Sequence, residues 1–188
     1  MPFPMRVFEK LDDWHLWRSN GVGSSDASTI LGVNPYQSLE KLFWEKVYSR
    51  TLSQDNVVTR HGRHLEPLVR NFFNHKNNCN TRPLYGENCN YDFLRASFDG
   101  VDEEKNILLE IKCPVYPYKG IPLYYYVQVQ HQMLVSGGEE VVFLVYCRNK
   151  LYTHRVPRDD RLISVLFERE LEFWQRVVEH RKLLCPQE

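Results

Sequence analysis

Apolar residues first recur at helical spacing in short bursts divided by turn residues. Asp12 or Asp13 can cap a helix carrying Trp14, Leu16 and Trp17, which stops at Asn20-Gly21. The turn Gly21-Val22-Gly23-Ser24-Ser25-Asp26 leads into a short helix through Ile30, closed by Gly32. After Asn34-Pro35, Ser38 caps a helix with Leu39, Leu42, Phe43, Trp44 and Val47. Leu65, Leu68, Val69, Phe72 and Phe73 mark a further helix, and Pro67 is expected in its first turn. The period then changes. Residues 93–98 and 107–112 read as strands, with a charged turn from Asp99-Gly100 through Asn106 between them. Pro114 and Pro117 end the second strand, and a helix over 123–135 closes at Ser136-Gly137-Gly138. Residues 141–146 and 151–156 form a hairpin around Arg148-Asn149-Lys150. The last helix, about 161–184, places Ile163, Phe167, Leu171, Trp174 and Val178 on one stripe. This order predicts an α/β fold, a central mixed sheet flanked by helices, in one domain over residues 1–188.

The bulk properties agree with a packed domain. With 188 residues, 43% of them hydrophobic and 26% charged, the chain can bury roughly 70% of its unfolded surface. No apolar run reaches the roughly 20 residues of a membrane helix, and Met1-Pro2-Phe3-Pro4 is not a signal-peptide start. Five cysteines, odd in number and never in a C-x-x-C pair, favour a reducing, intracellular setting. His75, Cys79 and Cys89 make the tightest metal-like grouping, without a fourth ligand at zinc-finger spacing. Charge balances, 24 Lys+Arg against 24 Asp+Glu, and so gives no bulk sign of a polyanionic partner. It is nevertheless segregated. Residues 60–82 hold Arg60, Arg63, Arg70, Lys76 and Arg82 against Glu66, whereas residues 99–104 hold four acids and no base. A basic track can therefore lie beside an acidic site.

The most informative chemistry is Ser97-Phe98-Asp99-Gly100 followed by Glu110-Ile111-Lys112. Residues two apart on a strand share a face, so Glu110 and Lys112 project together. If the intervening turn closes an antiparallel pair, Asp99 converges on them. Two carboxylates and a backbone carbonyl make a hard-oxygen site suited to Mg²⁺, and a neighbouring ammonium can orient or help deprotonate a bound water. Such a site fits phosphodiester hydrolysis. The plain alternative is a solvated edge strand with a Glu–Lys pair.

Gln130 falls among Tyr126, Val127, Met133 and Leu134 on an apolar helix face, where an amide must find partners. Either it bonds sheet backbone, or it reaches the metal water or a phosphate. Glu66 lies in line with Val69 and Phe73, as a salt-bridge partner of Arg63 or Arg70 or as part of the site.

Together these residues resemble the YqaJ-type viral recombinases, the lambda exonuclease family. The resemblance is carried by Arg18 with Gly21-Val22-Gly23-Ser24-Ser25-Asp26-Ala27, by Gly62-Arg63-His64-Leu65-Glu66-Pro67 (family G-x-x-x-E-P), and by Ser97-Phe98-Asp99-Gly100 (family S-P-D-G). It continues through Glu110-Ile111-Lys112-Cys113-Pro114 (family E-x-K-C-P) and the Gln-rich helix Tyr126-Val127-Gln128-Val129-Gln130-His131-Gln132-Met133. The motifs keep family order from about residue 14 to 146. Phe98 departs from the usual proline, and the chain is short for the family.

The resemblance implies a restriction-endonuclease-like core and Mg²⁺-dependent, processive 5′→3′ digestion of duplex DNA ends, leaving 3′ tails for recombination, with Mn²⁺ as a substitute ion. It implies Asp99, Glu110 and the Ile111 carbonyl as metal ligands, Lys112 on the nucleophilic water, and Glu66 and Gln130 in support. Arg18 and Ser25 match the family's 5′-phosphate pocket, where a guanidinium, a hydroxyl and Gly-Ser turn amides suit a phosphate; alternatively Ser25 is a simple helix cap. A single-strand annealing partner and a homotrimer are further implications, in the cytoplasm of a bacterial, phage-infected or equivalent viral host cell. Two other readings stand beside this one. The first is a structure- or site-specific endonuclease on the same core, and the second is a DNA-end-binding module without catalysis, which would have no need of Asp99, Glu110 and Lys112 together.

Overall fold

The computed structural model of the protein describes residues 3–10, 13–49 and 57–184, and of residues 57–61 and 63 the backbone alone. Its frame is a seven-stranded mixed sheet. Strands β1 (Met5–Phe8), β3 (Arg82–Asn88), β4 (Leu94–Asp102), β5 (Ile107–Lys112), β6 (Glu140–Cys147) and β7 (Lys150–Pro157) lie side by side in the order β1-β3-β4-β5-β6-β7. A two-residue strand, β2 (Val22–Gly23), pairs in parallel with β4. The β5–β6 pairing is parallel because helix α5 (Leu123–Ser136) makes the crossover; the remaining neighbours are antiparallel. At the β6–β7 turn Arg148 and Asn149 both take positive φ, 49° and 61°, the backbone a tight hairpin needs.

Helices cover both faces. On one, α5 sets Val129 and Met133 against Leu108, Val141 and Phe143. On the other, α4 (Val57–Asn77) sets Val69 and Phe73 against Leu109, Ile111, Val142 and Leu144. Strand β5 is thus buried on both sides, which explains its apolar run and makes the charged Glu110 within it conspicuous. The remaining helices are α1 (Trp14–Ser19), α2 (Ser24–Ile30), α3 (Leu39–Val47) and α6 (Asp160–Leu184). Asp13 and Ser38 cap α1 and α3 as their sequences predict, accepting from the Leu16 and Lys41 amides.

Three expectations are corrected, and three strands are added. Asp99-Gly100 is not a turn: β4 runs on to Asp102, and Gly100 is required there because a Cβ would come within 2.9 Å of Thr81 and 3.1 Å of Leu109. Pro67 lies inside α4 rather than in its first turn, so one rung of the helix ladder is missing, compensated by the buried Val69 and Phe73. On α6 the buried stripe is Ile163, Leu166, Glu170, Phe173 and Val177, with Phe167, Leu171 and Trp174 on its flank. A charged residue at its centre hid it from a hydrophobicity reading. Strands β1, β2 and β3 were not anticipated; β3 reads Arg-Pro-Leu-Tyr-Gly-Glu-Asn, poor in strand formers, and forms through its pairing with β1 and β4. Among the described residues no helix is long and apolar enough to cross a membrane.

Candidate active site

The antiparallel β4–β5 register pairs Gly100 with Leu109, and its next step brings Asp99 opposite Glu110. Directly opposed residues share a face, so the two carboxylates meet. A hydrogen bond fixes the arrangement, with the Ile111 amide donating to Asp99 Oδ2 at 2.7 Å. Phe98, where the family motif has proline, is buried in the core and paired with Leu84, so packing and the ladder hold the backbone before Asp99.

Glu110 is 2% exposed and carries three charged or polar donors. Lys112 Nζ lies 2.5 Å from Oε1, Gln128 donates to Oε1 at 2.5 Å, and Gln132 donates to Oε2 at 2.6 Å. Helix α5 supplies both amides because positions 128 and 132 are one turn apart on the side facing β5. Burial would lower Lys112, but the Glu110 and Asp99 carboxylates hold it above the usual lysine range, so it stands as an ammonium. It can therefore orient a water or steady negative charge, and does not act as a base in this state. For Asp99 the balance runs the other way. Burial, then the nearby Glu110 and Glu66 carboxylates, push it well above the usual carboxylate range against the pull of Lys112. Arg70 of α4 donates to the Asp99 carbonyl at 2.8 Å, holding the strand from the opposite layer.

Gln130 is placed elsewhere. Its side chain is fully buried, donates to the Pro157 carbonyl at 2.9 Å and accepts from the Asp159 amide at 2.8 Å. It fastens the end of β7 rather than the carboxylates, so the reading that put Gln130 in support of the site gives way to Gln128 and Gln132. The signal was in the sequence: all three glutamines lie on one helix, and only spacing relative to β5 separates them.

Arg18 and Ser25 do come together, the guanidinium donating to Ser25 Oγ at 2.6 Å. Two residues of this cluster escaped the sequence reading. Asp26 takes Arg18 at 3.0 Å and Lys46 at 2.6 Å, and Lys46 also donates to the Arg18 carbonyl. Burial opposes ionisation of Asp26, yet Lys46 and then Arg18 hold its pKa down to about 2. Burial likewise pulls Lys46 down while Asp26 keeps it charged. The Gly23 amide donates to Asp26 Oδ2, so it is not offered to a ligand. A chain of contacts leads from this cluster toward the carboxylates. Arg18 lies over the Trp14 ring at 5.3 Å, and Trp14 Nε1 reaches Ser97, two residues before Asp99 on the same strand face.

The charge segregation is only partly borne into space. Asp102 accepts from the Asn80 and Lys105 amides, and Arg82 pairs with Glu9 and Glu103, so both belong to the frame and not to the site. The side chains of Arg60 and Arg63 lie outside the described residues.

The donor chemistry fits a hard divalent cation. Among the described residues no three His, Cys, Asp or Glu side chains are arranged to hold a metal by themselves. Asp99, Glu110 and the Ile111 carbonyl would have to share it with water, as Mg²⁺ prefers. The crowding of Asp99, Glu110 and Glu66 is the kind of excess negative charge that a cation relieves.

A seven-stranded mixed sheet with two strand carboxylates and a lysine at its centre is a nuclease-like α/β core. Residues 13–139 match the model of the YqaJ-like viral recombinase domain, and the chain belongs to that family. It is 32% identical over 175 residues to the protein YqaJ of Bacillus subtilis (strain 168), covering 87% of this chain and 55% of that protein, so it spans about half of the relative's length. Among solved structures it is similar to an alkaline exonuclease, LHK-Exo, from Laribacter hongkongensis, with a TM-score of 0.78, 21% identity, and coverage of 93% and 96% of the two chains. A phage-related exonuclease from Haemophilus somnus 129PT follows the same fold at a TM-score of 0.65 and 14% identity, over 87% and 95% of the chains.

Proposed function

We propose that this chain is a Mg²⁺-dependent 5′→3′ exonuclease that digests linear double-stranded DNA and leaves 3′ single-stranded tails for recombination, Mn²⁺ serving in place of Mg²⁺. The observation that carries the reading is the meeting of Asp99, Glu110 and Lys112 on one sheet face, with Glu110 held by two glutamines. A purely structural Glu–Lys pair does not need a second, crowded carboxylate opposite it. Family membership supports the reading, as does the fold shared with LHK-Exo, which has been crystallised with dAMP.

In this scheme Asp99, Glu110 and the Ile111 carbonyl would hold the cation, which would supply positive charge to offset that developing on the phosphodiester oxygens. Lys112, kept charged by its neighbours, orients the attacking water and stabilises the charge that builds at the phosphate. Gln128 and Gln132 keep Glu110 from turning away. Glu66 adds negative charge beside Asp99. Arg18 and Ser25 receive the 5′-phosphate, with Asp26 and Lys46 positioning the guanidinium. A homotrimer and an annealing partner belong to the same proposal and rest on the family alone.

The deciding experiment is digestion of end-labelled 5′-phosphorylated linear duplex with Mg²⁺, beside a closed circle of the same sequence. Mononucleotides released from 5′ ends, with the circle intact, are expected. Cutting of the circle as readily as the linear duplex would make the protein an endonuclease, and no cleavage with any divalent ion would leave only an end-binding module.

A further inference from the structure

Outward from Lys112 the site is walled by tyrosine. Lys112 Nζ lies 4.7 Å from the centroid of the Tyr125 ring. Tyr125 meets Tyr118 edge to face at 5.7 Å, their hydroxyls 3.4 Å apart, and leans on Tyr124 at 4.3 Å. Tyr124 in turn meets Tyr36 edge to face at 5.6 Å. Tyr36 is 78% exposed, yet it is presented from a fixed turn: its amide donates to Asn34 Oδ1 at 2.9 Å, and Asn34 is itself tied to Thr29. Tyr118 and Tyr125 pack against the core, whereas Tyr36 carries the row out to an open face.

Away from the Asp99, Glu110 and Glu66 carboxylates, the segment that leads into the row carries charge of one sign. Residues 111–124 contain Lys112 and Lys119 and no acid. The β6–β7 turn adds exposed Arg148 and Lys150, with the Arg148 guanidinium 5.4 Å over the ring of Tyr116, also exposed. Aromatic faces interleaved with cations are what unpaired bases on a phosphate backbone bind: rings stack on bases of any sequence while the cations follow the phosphates. Within a duplex only the terminal pair has a free face, so a row of several rings suits unpaired bases.

We propose that Tyr36, Tyr124, Tyr125 and Tyr118 form a stacking platform for unpaired bases of the DNA strand that enters or leaves the Asp99–Glu110–Lys112 site. The proposal rests on the nuclease reading, because fraying at a digested end is what brings unpaired bases there. The platform makes the protein a binder of short single strands in its own right.

The test uses the full chain in EDTA with a short single-stranded oligonucleotide carrying 2-aminopurine, whose fluorescence falls on stacking. The wild type should bind and quench it. Tyr36→Ala and Tyr124→Ala should each bind roughly 5- to 100-fold more weakly and lose quenching, whereas Tyr36→Phe and Tyr124→Phe keep both. Tyr36, being largely exposed, carries the test if the Tyr124 variant melts early. No quenching by the wild type, unchanged binding in Tyr36→Ala, or equal loss in the phenylalanine variants would overturn the platform. The same preparations are given end-labelled duplex and Mg²⁺. Nucleotide release with tyrosine-independent oligonucleotide binding sinks the platform alone; tyrosine-dependent quenching with no release sinks the nuclease reading alone.

Discussion

Gln132 donates to Glu110 Oε2 at 2.6 Å, and both side chains are almost wholly withdrawn from solvent, so this carboxylate is aimed by helix α5 and not by water. Gln132 is the last of three consecutive, fully buried polar residues that each tie α5 to another part of the fold. Gln130 holds the end of β7, His131 lies between Glu170 and the Arg95 carbonyl, and Gln132 holds Glu110. Each points toward a different element, because successive residues on a helix diverge by about a quarter turn or more. Helix α5 therefore fastens sheet, hairpin and α6 together from inside while serving the site.

The division of labour among the glutamines is directly measurable. Gln132→Leu removes a donor from a buried carboxylate, and turnover should fall about 10- to 100-fold, as a supporting residue of such a site does. Gln128→Leu should act in the same direction. Gln130→Leu removes the partner of the Pro157 carbonyl and of the Asp159 amide, costing about 0.5–1.5 kcal/mol for each bond, and should lower the melting temperature of the protein with a far smaller effect on turnover. Thermal melts beside single-turnover cleavage separate the two patterns; a greater turnover loss in Gln130→Leu than in Gln132→Leu would restore Gln130 to the site.

Crowded carboxylates predict a trade between stability and activity. Asp99 is raised by its own burial and by Glu110 and Glu66. Asp99→Asn keeps an acceptor for the Ile111 amide but removes one negative charge. In the absence of divalent ions this variant should melt at the same temperature as the wild type or higher, while cleavage falls by at least about 100-fold. Lys112→Ala should abolish cleavage and keep duplex binding. A clear drop in the melting temperature of Asp99→Asn would show that the cluster is not under electrostatic strain.

Much of this was legible because strand logic is local. Glu110-Ile111-Lys112 could be assigned a face from the period alone, and Asp99 followed once the pairing was antiparallel. What was hidden depended on partners distant in sequence. Gly100 reads as a turn residue until Thr81 and Leu109 are seen beside it. Gln128 and Gln132 are indistinguishable from Gln130 until the rotation of α5 over β5 is known. Asp26 and Lys46 lie 20 residues apart, and nothing in either segment announces that they meet at 2.6 Å.

His131 supplies a pH test outside the site. Both ring nitrogens face acceptors, Glu170 Oε1 at 2.8 Å and the Arg95 carbonyl at 3.0 Å, an arrangement that an imidazolium, with a proton on each nitrogen, satisfies in full. Burial lowers its pKa, but the Glu170 carboxylate and these hydrogen bonds carry it above the ordinary 6.5. A raised histidine contributes stability that is complete below the unfolded value and is lost as pH rises through the folded one. The gap in melting temperature between wild type and His131→Gln should therefore be wide near about pH 6 and narrower near about pH 9. A gap that widens with pH would mean that the ring is neutral.

Asp26 makes the opposite prediction at the acid end. Its carboxylate holds Lys46, Arg18 and the Gly23 amide, and its pKa is depressed from the ordinary 3.8 to about 2. A depressed carboxylate contributes stability that is present above the unfolded value and lost as pH falls through the folded one. Asp26→Asn strands a buried lysine at neutral pH, at a cost of about 3–5 kcal/mol. Wild-type and variant melting temperatures should converge as pH falls from about 4 toward 2. Because Asp26 also steadies Arg18, the same variant should lose part of the preference for 5′-phosphorylated over 5′-hydroxyl ends. Arg18→Ala should lose more of it, on the order of tenfold for a charge-assisted contact. An end preference unchanged in Arg18→Ala would remove the phosphate pocket from the proposal, and an acid-independent stability gap would show that the Asp26–Lys46 pair is not what joins α2 to α3.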